Sequence, residues 1–415
     1  MSTSCRDEAD DVIQPGSYPE EYTFTSQFDA IWHGINHNYV FWEIDHTDWD
    51  ETYTRYRPVF EELDKQETVS TADLQSLYEE ICGPLIDHHM GIKVLNLKAG
   101  PDENQGYAFV HPGSLEVNRR EDSHPRISRE VYRECRDKMK EAGRISHDRE
   151  FIDENSQTNL EYMFTYVIDG DILYLKPSSF HVIDALNKAN DPDNEAAQAA
   201  FEVYEEYVSN LLFNRDINGV ILDLRCNGGG MLLDMFTLLG PLLKEDTHVL
   251  DTRTKMGVGR LDYGEWIPYY VEAINQQQLG QIVKWEEELP ETDCIGDRQL
   301  VVLVDCNSVS MSEMTTLGAR TLPYATIIGE RTFGGTGPLT SNTHTSFSGQ
   351  FGDSNLQQTT YWVYTSTWMS RAPDGTCFEG TGVTPDITVP LDLDKLINEH
   401  MDNQLEYAIN HLHGK

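Results

Sequence analysis

The chain has 415 residues, enough for one large core with appendages or for two to three domains. Its 70 acidic residues against 31 basic ones give a formal net charge of −39, a surface that repels phosphate backbones and argues against nucleic-acid partners. No apolar run approaches the ~20 residues of a membrane helix, and the seven scattered cysteines offer neither zinc-site spacing nor a disulfide framework.

In chain order, residues 1–20 are polar, carry Pro15, Gly16 and Pro19, and read as a disordered linker. Phe28, Ile31, Trp32, Ile35 and Tyr39 recur at helical spacing. A second helix opens at Ser70, with Asp73 in a capping-box position and Leu74, Leu77, Tyr78, Ile81 and Leu85 on its apolar face. Residues 21–90 are expected to form a helical subdomain. Residues 91–160 read as a mixed β/α connection, with a strand at 107–110 and a charged helical stretch around 129–142. From 161 to 415 the pattern is that of an α/β core closing on a C-terminal helix. Asp169-Gly170 turns a hairpin between 162–168 and 172–175, and a long helix spans about 195–213. Strand 219–224 leads through glycines to a helix at 231–239, strand 300–305 leads to a helix at 311–322, and strand 325–329 follows. Alternating strands and helices predict a parallel, helix-covered sheet with its ligand site past the strands' carboxyl ends. Cys226 and Cys306, at such strand ends, read as packing.

Four stretches could carry chemistry. Asp223-Leu-Arg-Cys-Asn227-Gly228-Gly229-Gly230 leaves backbone N–H groups uncovered at a helix start, suited to an oxyanion or a phosphate, or simply to a tight turn. Asp305-Cys-Asn-Ser308-Val-Ser310-Met311-Ser312-Glu313 presents Ser310 either as a helix cap with Glu313 at N3 or as a strand-end nucleophile. Leu85-Ile-Asp87-His88-His89-Met90 pairs two imidazoles, suited to general-base work or to a structural role. Phe378-Glu379-Gly380-Thr-Gly382-Val-Thr-Pro385-Asp386 is a turn into a strand whose Glu379 can orient a histidine or face solvent. The aromatic stretch at 245–298, with Tyr263, Trp266, Tyr269, Tyr270 and Trp285, is either a substrate groove or a surface excursion.

In order and character these stretches resemble the tail-specific (carboxyl-terminal processing) serine peptidases and the tricorn protease core, from about residue 28 to the end. The Ile172–Phe180 segment and Gly329-Glu-Arg-Thr-Phe-Gly334 belong to the same resemblance. It implies a Clp-protease/crotonase-like spiral core of β-β-α units behind an N-terminal helical subdomain; the PDZ domain that many members insert has no counterpart here. Where lysine-dyad members carry their base lysine and a following glutamine, this chain has Gly335 and Leu339. The resemblance therefore runs to the tricorn-like branch, with Ser310 as nucleophile, His89 as base beside His88, and Glu379 in support. The backbone N–H of Gly228 or Gly229 and of Met311 would receive the oxyanion. The activity implied is that of a serine endopeptidase or carboxyl-terminal processing peptidase on peptide or unfolded-protein substrates, without metal or organic cofactor. The rival is a catalytically silent binding module of the same fold, like the interphotoreceptor retinoid-binding repeats that carry hydrophobic ligands.

At the N-terminus, Ser2-Thr-Ser4-Cys5 followed by Asp7 and Glu8 resembles the end of a bacterial lipoprotein signal. That reading expects a lipid anchor on Cys5 in an uncut precursor and a place in the bacterial cell envelope, periplasmic or on the outer membrane; an ordinary disordered terminus is the alternative. The sequence leaves oligomerisation open.

Overall fold

The helical spacing from Phe28 becomes α1 (Phe24–Asn38), with Phe24, Phe28, Ile31 and Ile35 turned inward. The structure, a computed structural model, describes residues 22–101, 106–339 and 347–415, so the expected linker and Cys5 lie outside the described residues. A helix that periodicity does not mark follows, α2 (Trp49–Leu63), which buries only Trp49, Tyr56 and Phe60 and contains Pro58. α3 (Thr71–Cys82) starts where the sequence puts it, Ser70 accepting from the Asp73 N–H. Next come β1 (Gly91–Leu95), β2 (Tyr107–Val110), α4 (Pro112–Val117), α5 (Arg129–Glu141) and β3 (Ile145–Ile152). Asp169 and Gly170, at φ 51° and 86°, turn the expected hairpin between β4 (Tyr162–Ile168) and β5 (Ile172–Pro177). α6 (Val182–Lys188), α7 (Glu195–Phe213), β6 (Gly219–Asp223) and α8 (Leu233–Leu238) continue the alternation. The aromatic stretch forms β7 (Thr247–Thr254), β8 (Ile267–Val271) and α9 (Gln276–Ile282). β9 (Gln299–Val304), α10 (Met311–Arg320) and β10 (Ala325–Gly329) match their expected positions. The chain ends in β11 (Phe351–Gly352), β12 (Tyr361–Tyr364), β13 (Trp368–Arg371), β14 (Ile387–Thr388), α11 (Leu393–Asn398) and α12 (Asn403–Leu412).

Seven strands form the central sheet in the order β14-β10-β9-β6-β5-β4-β3, parallel from β5 through β14 and antiparallel in the β3-β4-β5 meander. Because β5, β6 and β9 are apolar on both faces, each face must be covered. One face packs against α6 and α7, the other against α5, α11 and α12. A second sheet, β11-β12-β1-β2, lies under α1 to α3, so the first helices share their core with strands some 270 residues later in the chain. The third sheet, β13-β7-β8, backs α10 at Gly318, where an added Cβ would sit 2.9 Å from Val249 Cγ1.

Beneath the strand ends a buried ionic network ties in the C-terminus. Arg225, 1% exposed, donates to both oxygens of Asp402 at the start of α12 (2.9 and 2.7 Å) and to both of Asp223 (3.0 and 2.6 Å).

Candidate active site

β6 and β9 are parallel neighbours, Asp223 opposite Leu303, so the two turns that follow them meet at one end of the sheet. Asp305 joins them, its Oδ1 accepting the N–H of Cys226 (3.0 Å) and of Asn307 (2.9 Å). Cys226 and Cys306 are buried there, as packing requires. Ser308 Oγ donates to Leu224 O at 2.8 Å, and Ser312 Oγ lies 2.9 Å from both Asn227 O and Oδ1, so both hydroxyls are buried in the joint between the turns. Ser310 differs. At φ 61° and ψ −118° it adopts the strained conformation of a strand-to-helix elbow, and it lines a cavity of about 520 Å³. It is at the same time the N-cap of α10, its N–H donating to Glu313 Oε2 at 3.1 Å. The cap reading is thus met, and the elbow geometry is compatible with the other.

The glycine turn lies against this elbow. Gly229, at φ +83°, is so close that a Cβ there would stand 2.6 Å from Ser310 Cβ and 2.9 Å from Met311 N. Its own N–H donates to Asn227 Oδ1 at 2.9 Å. The N–H groups of Gly228 and Met311 have no hydrogen-bond partner among the described residues, and both residues line the cavity. Of the two glycines the sequence offered, the geometry leaves Gly228 with the free donor. Met311 opens α10, where the helix presents its positive end.

The two histidines stand in the loop after α3, which Tyr39 fixes by accepting the N–H groups of Ile86 and Asp87 at 3.1 Å each. His88 is buried away from the cavity: its N–H donates to Glu379 Oε1 at 2.9 Å, and its Nδ1 lies 2.8 Å from Phe333 O. His89 lines the cavity, while its Nδ1 is buried without a hydrogen-bond partner. The ring rests on Gly335, where an added Cβ would lie 3.2 Å from both Cε1 and Nδ1, and Gly335 O accepts the Ser310 N–H at 3.1 Å. Ser310 and His89 therefore pack around one glycine. A side chain at 335, the position of the lysine in dyad members, would press on the imidazole, which would have to give by a few tenths of an ångström. Burial brings the His89 imidazole down to about 3, with His111 and His88 adding to the effect.

Two buried carboxylates hold the loop that carries Gly335. Glu313 accepts from Thr332 Oγ1 (2.5 Å), Gly334 N (2.7 Å), Gly335 N (2.8 Å) and the Ser310 N–H already described. Burial nevertheless pushes its carboxyl up to about 7. Glu379, 3% exposed, accepts from Thr336 N and Gly337 N at 2.7 Å each. It is thus a loop clamp rather than the exposed turn carboxylate its surroundings suggested. Asp87, which the sequence marks only as the residue before the paired histidines, is fully buried. It accepts from Thr365 Oγ1 (2.5 Å), Ser366 N (2.8 Å), Ser366 Oγ (3.0 Å) and the N–H of His89 (3.0 Å). Burial raises the Asp87 carboxyl, and burial together with the Asp87 charge pushes Glu379 well above the carboxyl range.

One nitrogen of His89 and one oxygen each of Asp87 and Glu379 lie within 4.8 Å of one another, the one group with metal-ligand spacing among the described residues. Every oxygen of both carboxylates already accepts N–H or O–H donors. That pattern suits the handling of a proton better than the holding of an ion.

The rest of the cavity wall is largely apolar, with Met231, Leu250, Tyr269, Met314, Leu339 and Trp368. Of the aromatic stretch only Tyr269 reaches it; Tyr263 donates to Val40 O and Trp285 packs on Phe213. Sequence reasoning missed Trp368 and Tyr364 of this wall, because late strands bring them in.

Residues 171–389, just over half of the chain, match the model of peptidase family S41, and residues 20–87 match that of the tricorn protease C1 domain. No curated protein matches the sequence. Among solved structures, a protein of Parabacteroides merdae described as a candidate peptidase superposes with a TM-score of 0.60 at 18% identity, over 94% of this chain and 97% of that one. A CPAF point mutant gives 0.54 at 12% identity over 94% and 96%, and mature CPAF complexed with lactacystin gives 0.50 at 13% over 95% and 99%. At such identities the likeness is one of fold.

Proposed function

We propose, for a chain that belongs to peptidase family S41, that peptide bonds are hydrolysed through an acyl-enzyme on Ser310. Membership makes it a serine-type peptidase, a hydrolase acting on peptides. The finer reading rests on one observation: Ser310 and His89 flank Gly335 and line one cavity together with Gly228 and Met311, whose N–H groups have no partner among the described residues.

In this reading His89 takes the hydroxyl proton as Ser310 Oγ adds to the scissile carbonyl carbon, and the N–H groups of Gly228 and Met311 receive the oxyanion. Collapse expels the amine, which leaves with the proton from His89; water then cleaves the ester by the same steps in reverse. Glu379 supports the base from behind, holding the His88 N–H and the 336–337 loop together, and His88 secures that loop through Phe333 O. The apolar wall supports an apolar side chain beside the scissile bond, in an endopeptidase or a carboxyl-terminal processing peptidase alike. The Ser4-Cys5 junction supports a lipid-anchored place in the cell envelope, checked by whether Cys5→Ala in the full precursor moves the protein out of the membrane fraction.

A fluorophosphonate probe is expected to label the wild type and not Ser310→Ala, which also loses peptide turnover while melting within a few degrees of the wild type. A silent carrier of hydrophobic ligands would take no label in either form. Undiminished turnover in well-folded Ser310→Ala would end the reading.

A further inference from the structure

Resting on that reading of Ser310 and His89, we infer that Asp87 is a positioning residue for the base: its carboxylate fixes the His89 backbone and places negative charge on the buried side of the ring when the ring takes the proton. Three observations carry it. Asp87 Oδ1 accepts the N–H of His89 itself at 3.0 Å, so the carboxylate sits at the root of the histidine rather than across a loop. His89 Nδ1 is a buried atom with no hydrogen-bond partner among the described residues, although the Gly337 backbone also favours the charged ring, and an Asp87 oxygen lies within 4.8 Å of one ring nitrogen. Asp87 is itself held by three donors from one short segment, Thr365 Oγ1, Ser366 N and Ser366 Oγ, which aim the carboxylate and offset part of the burial that raises it.

Glu379 alone does not meet this need. Its oxygens are taken up by the His88 N–H and by the 336–337 loop, and it lies close to both Asp87 and Glu313, whose charges work against its own ionisation. Of the two carboxylates, Asp87 is the one bonded to the His89 backbone itself. Other titratable groups around the pair are His111 and His88, which act on the ring's charge, Tyr39, whose hydroxyl accepts the Asp87 N–H and donates to Asp45, Tyr364, and, around His88, Glu116 and Arg120.

The test uses the full chain and a fluorophosphonate probe, read as the rate of Ser310 labelling against pH, alongside turnover of a peptide substrate. Asp87→Asn keeps the size and most acceptors but removes the charge. Labelling and kcat are expected to fall about 10²-fold with KM nearly unchanged, and the acid limb of the labelling profile to move to lower pH, because the imidazolium has lost its counter-charge. Thr365→Val is the second variant and covers the case in which Asp87→Asn does not fold. It leaves Asp87 in place but removes its shortest donor, so the acid limb should move to higher pH and the wild-type rate should return on the alkaline side. A purely structural Asp87 would lower the melting temperature of both variants and leave both limbs where they are. That result, or wild-type labelling by Asp87→Asn beside an unlabelled Ser310→Ala, overturns this inference alone. Labelling that persists in Ser310→Ala would overturn the proposed site and this inference with it.

Discussion

Gly229→Ala separates the geometry of the site from its composition. At φ +83° the position is left-handed, which costs a residue with a Cβ about 1–2 kcal/mol. The new methyl would also start 2.6 Å from Ser310 Cβ and 2.7 Å from Val309 O. Carbon atoms settle at about 3.5 Å, so turn and elbow must part by roughly 0.9 Å. A displacement of that size at the reacting atoms costs about 10²-fold in rate, comparable with the loss of one oxyanion donor. The internal control is one residue away: at Gly228 φ is not positive, and a Cβ would meet only Arg126 Nη1, at 3.9 Å. Turnover and fluorophosphonate labelling of both variants, with thermal melts, should therefore show Gly229→Ala crippled and Gly228→Ala near wild type. Equal behaviour of the two, or full activity in Gly229→Ala, would refute the packing of the glycine turn on the Ser310 elbow.

Ser308→Ala and Ser312→Ala each lose buried hydrogen bonds worth about 1 kcal/mol. They should melt earlier yet keep turnover within about fivefold; a dead, well-folded Ser308→Ala would move the nucleophile. Arg225→Ala leaves Asp402 without its buried cation and Asp223 with Lys176 alone, and should cost about 3–5 kcal/mol in denaturant unfolding. A loss under about 1 kcal/mol would mean that the network bears no weight. Because His89 is held down to about 3, its neutral, base-competent form persists in acid. The acid limb of kcat/KM should thus fall below the ~6.5 of an ordinary imidazole, and a limb above that value contradicts the burial argument. Glu313 has the opposite sign: its folded-state carboxyl is raised to about 7 from 4.5, so the stability it contributes is full below its unfolded value and is lost as pH rises through about 7. The wild-type melting temperature should accordingly drop more steeply across that range than that of Glu313→Gln.

Local pattern made much of this legible. The Asp169-Gly170 hairpin, the long α7, and the β9–elbow–α10 unit around Ser310 each carry their own periodicity or turn residues, and each lies within two residues of its expected bounds. Other parts depend on partners the pattern does not name. α2 has a polar sequence with three buried positions and an internal proline, too thin a stripe to announce a helix. Asp87 is joined to Thr365 and Ser366, and His88 to Glu379, across nearly 300 residues of chain. Such contacts leave no periodic trace, so the adjacent histidines, and Glu379 through the resemblance, could be read as candidates while the burial of Asp87 behind them could not. Gly228 and Gly229 look alike in sequence; only the Asn227 side chain decides which N–H remains free.

The pairing of β1 with β12 sets the order in which this protein can become active. Gly91, two residues past His89, lies opposite Tyr364, and the next residues, Thr365 and Ser366, grip Asp87. The proposed base is thus delivered by the first quarter of the chain, while the carboxylate bonded to it is fixed by the last. During synthesis the histidine emerges long before residue 361 does and the serine about 50 residues before it, and a contact spanning so much sequence forms late because loop closure must come first. In the proposed reading, a nascent or truncated chain therefore carries Ser310 and His89 without the frame that aligns them, and cleavage by that pair would wait for the polypeptide to be nearly finished.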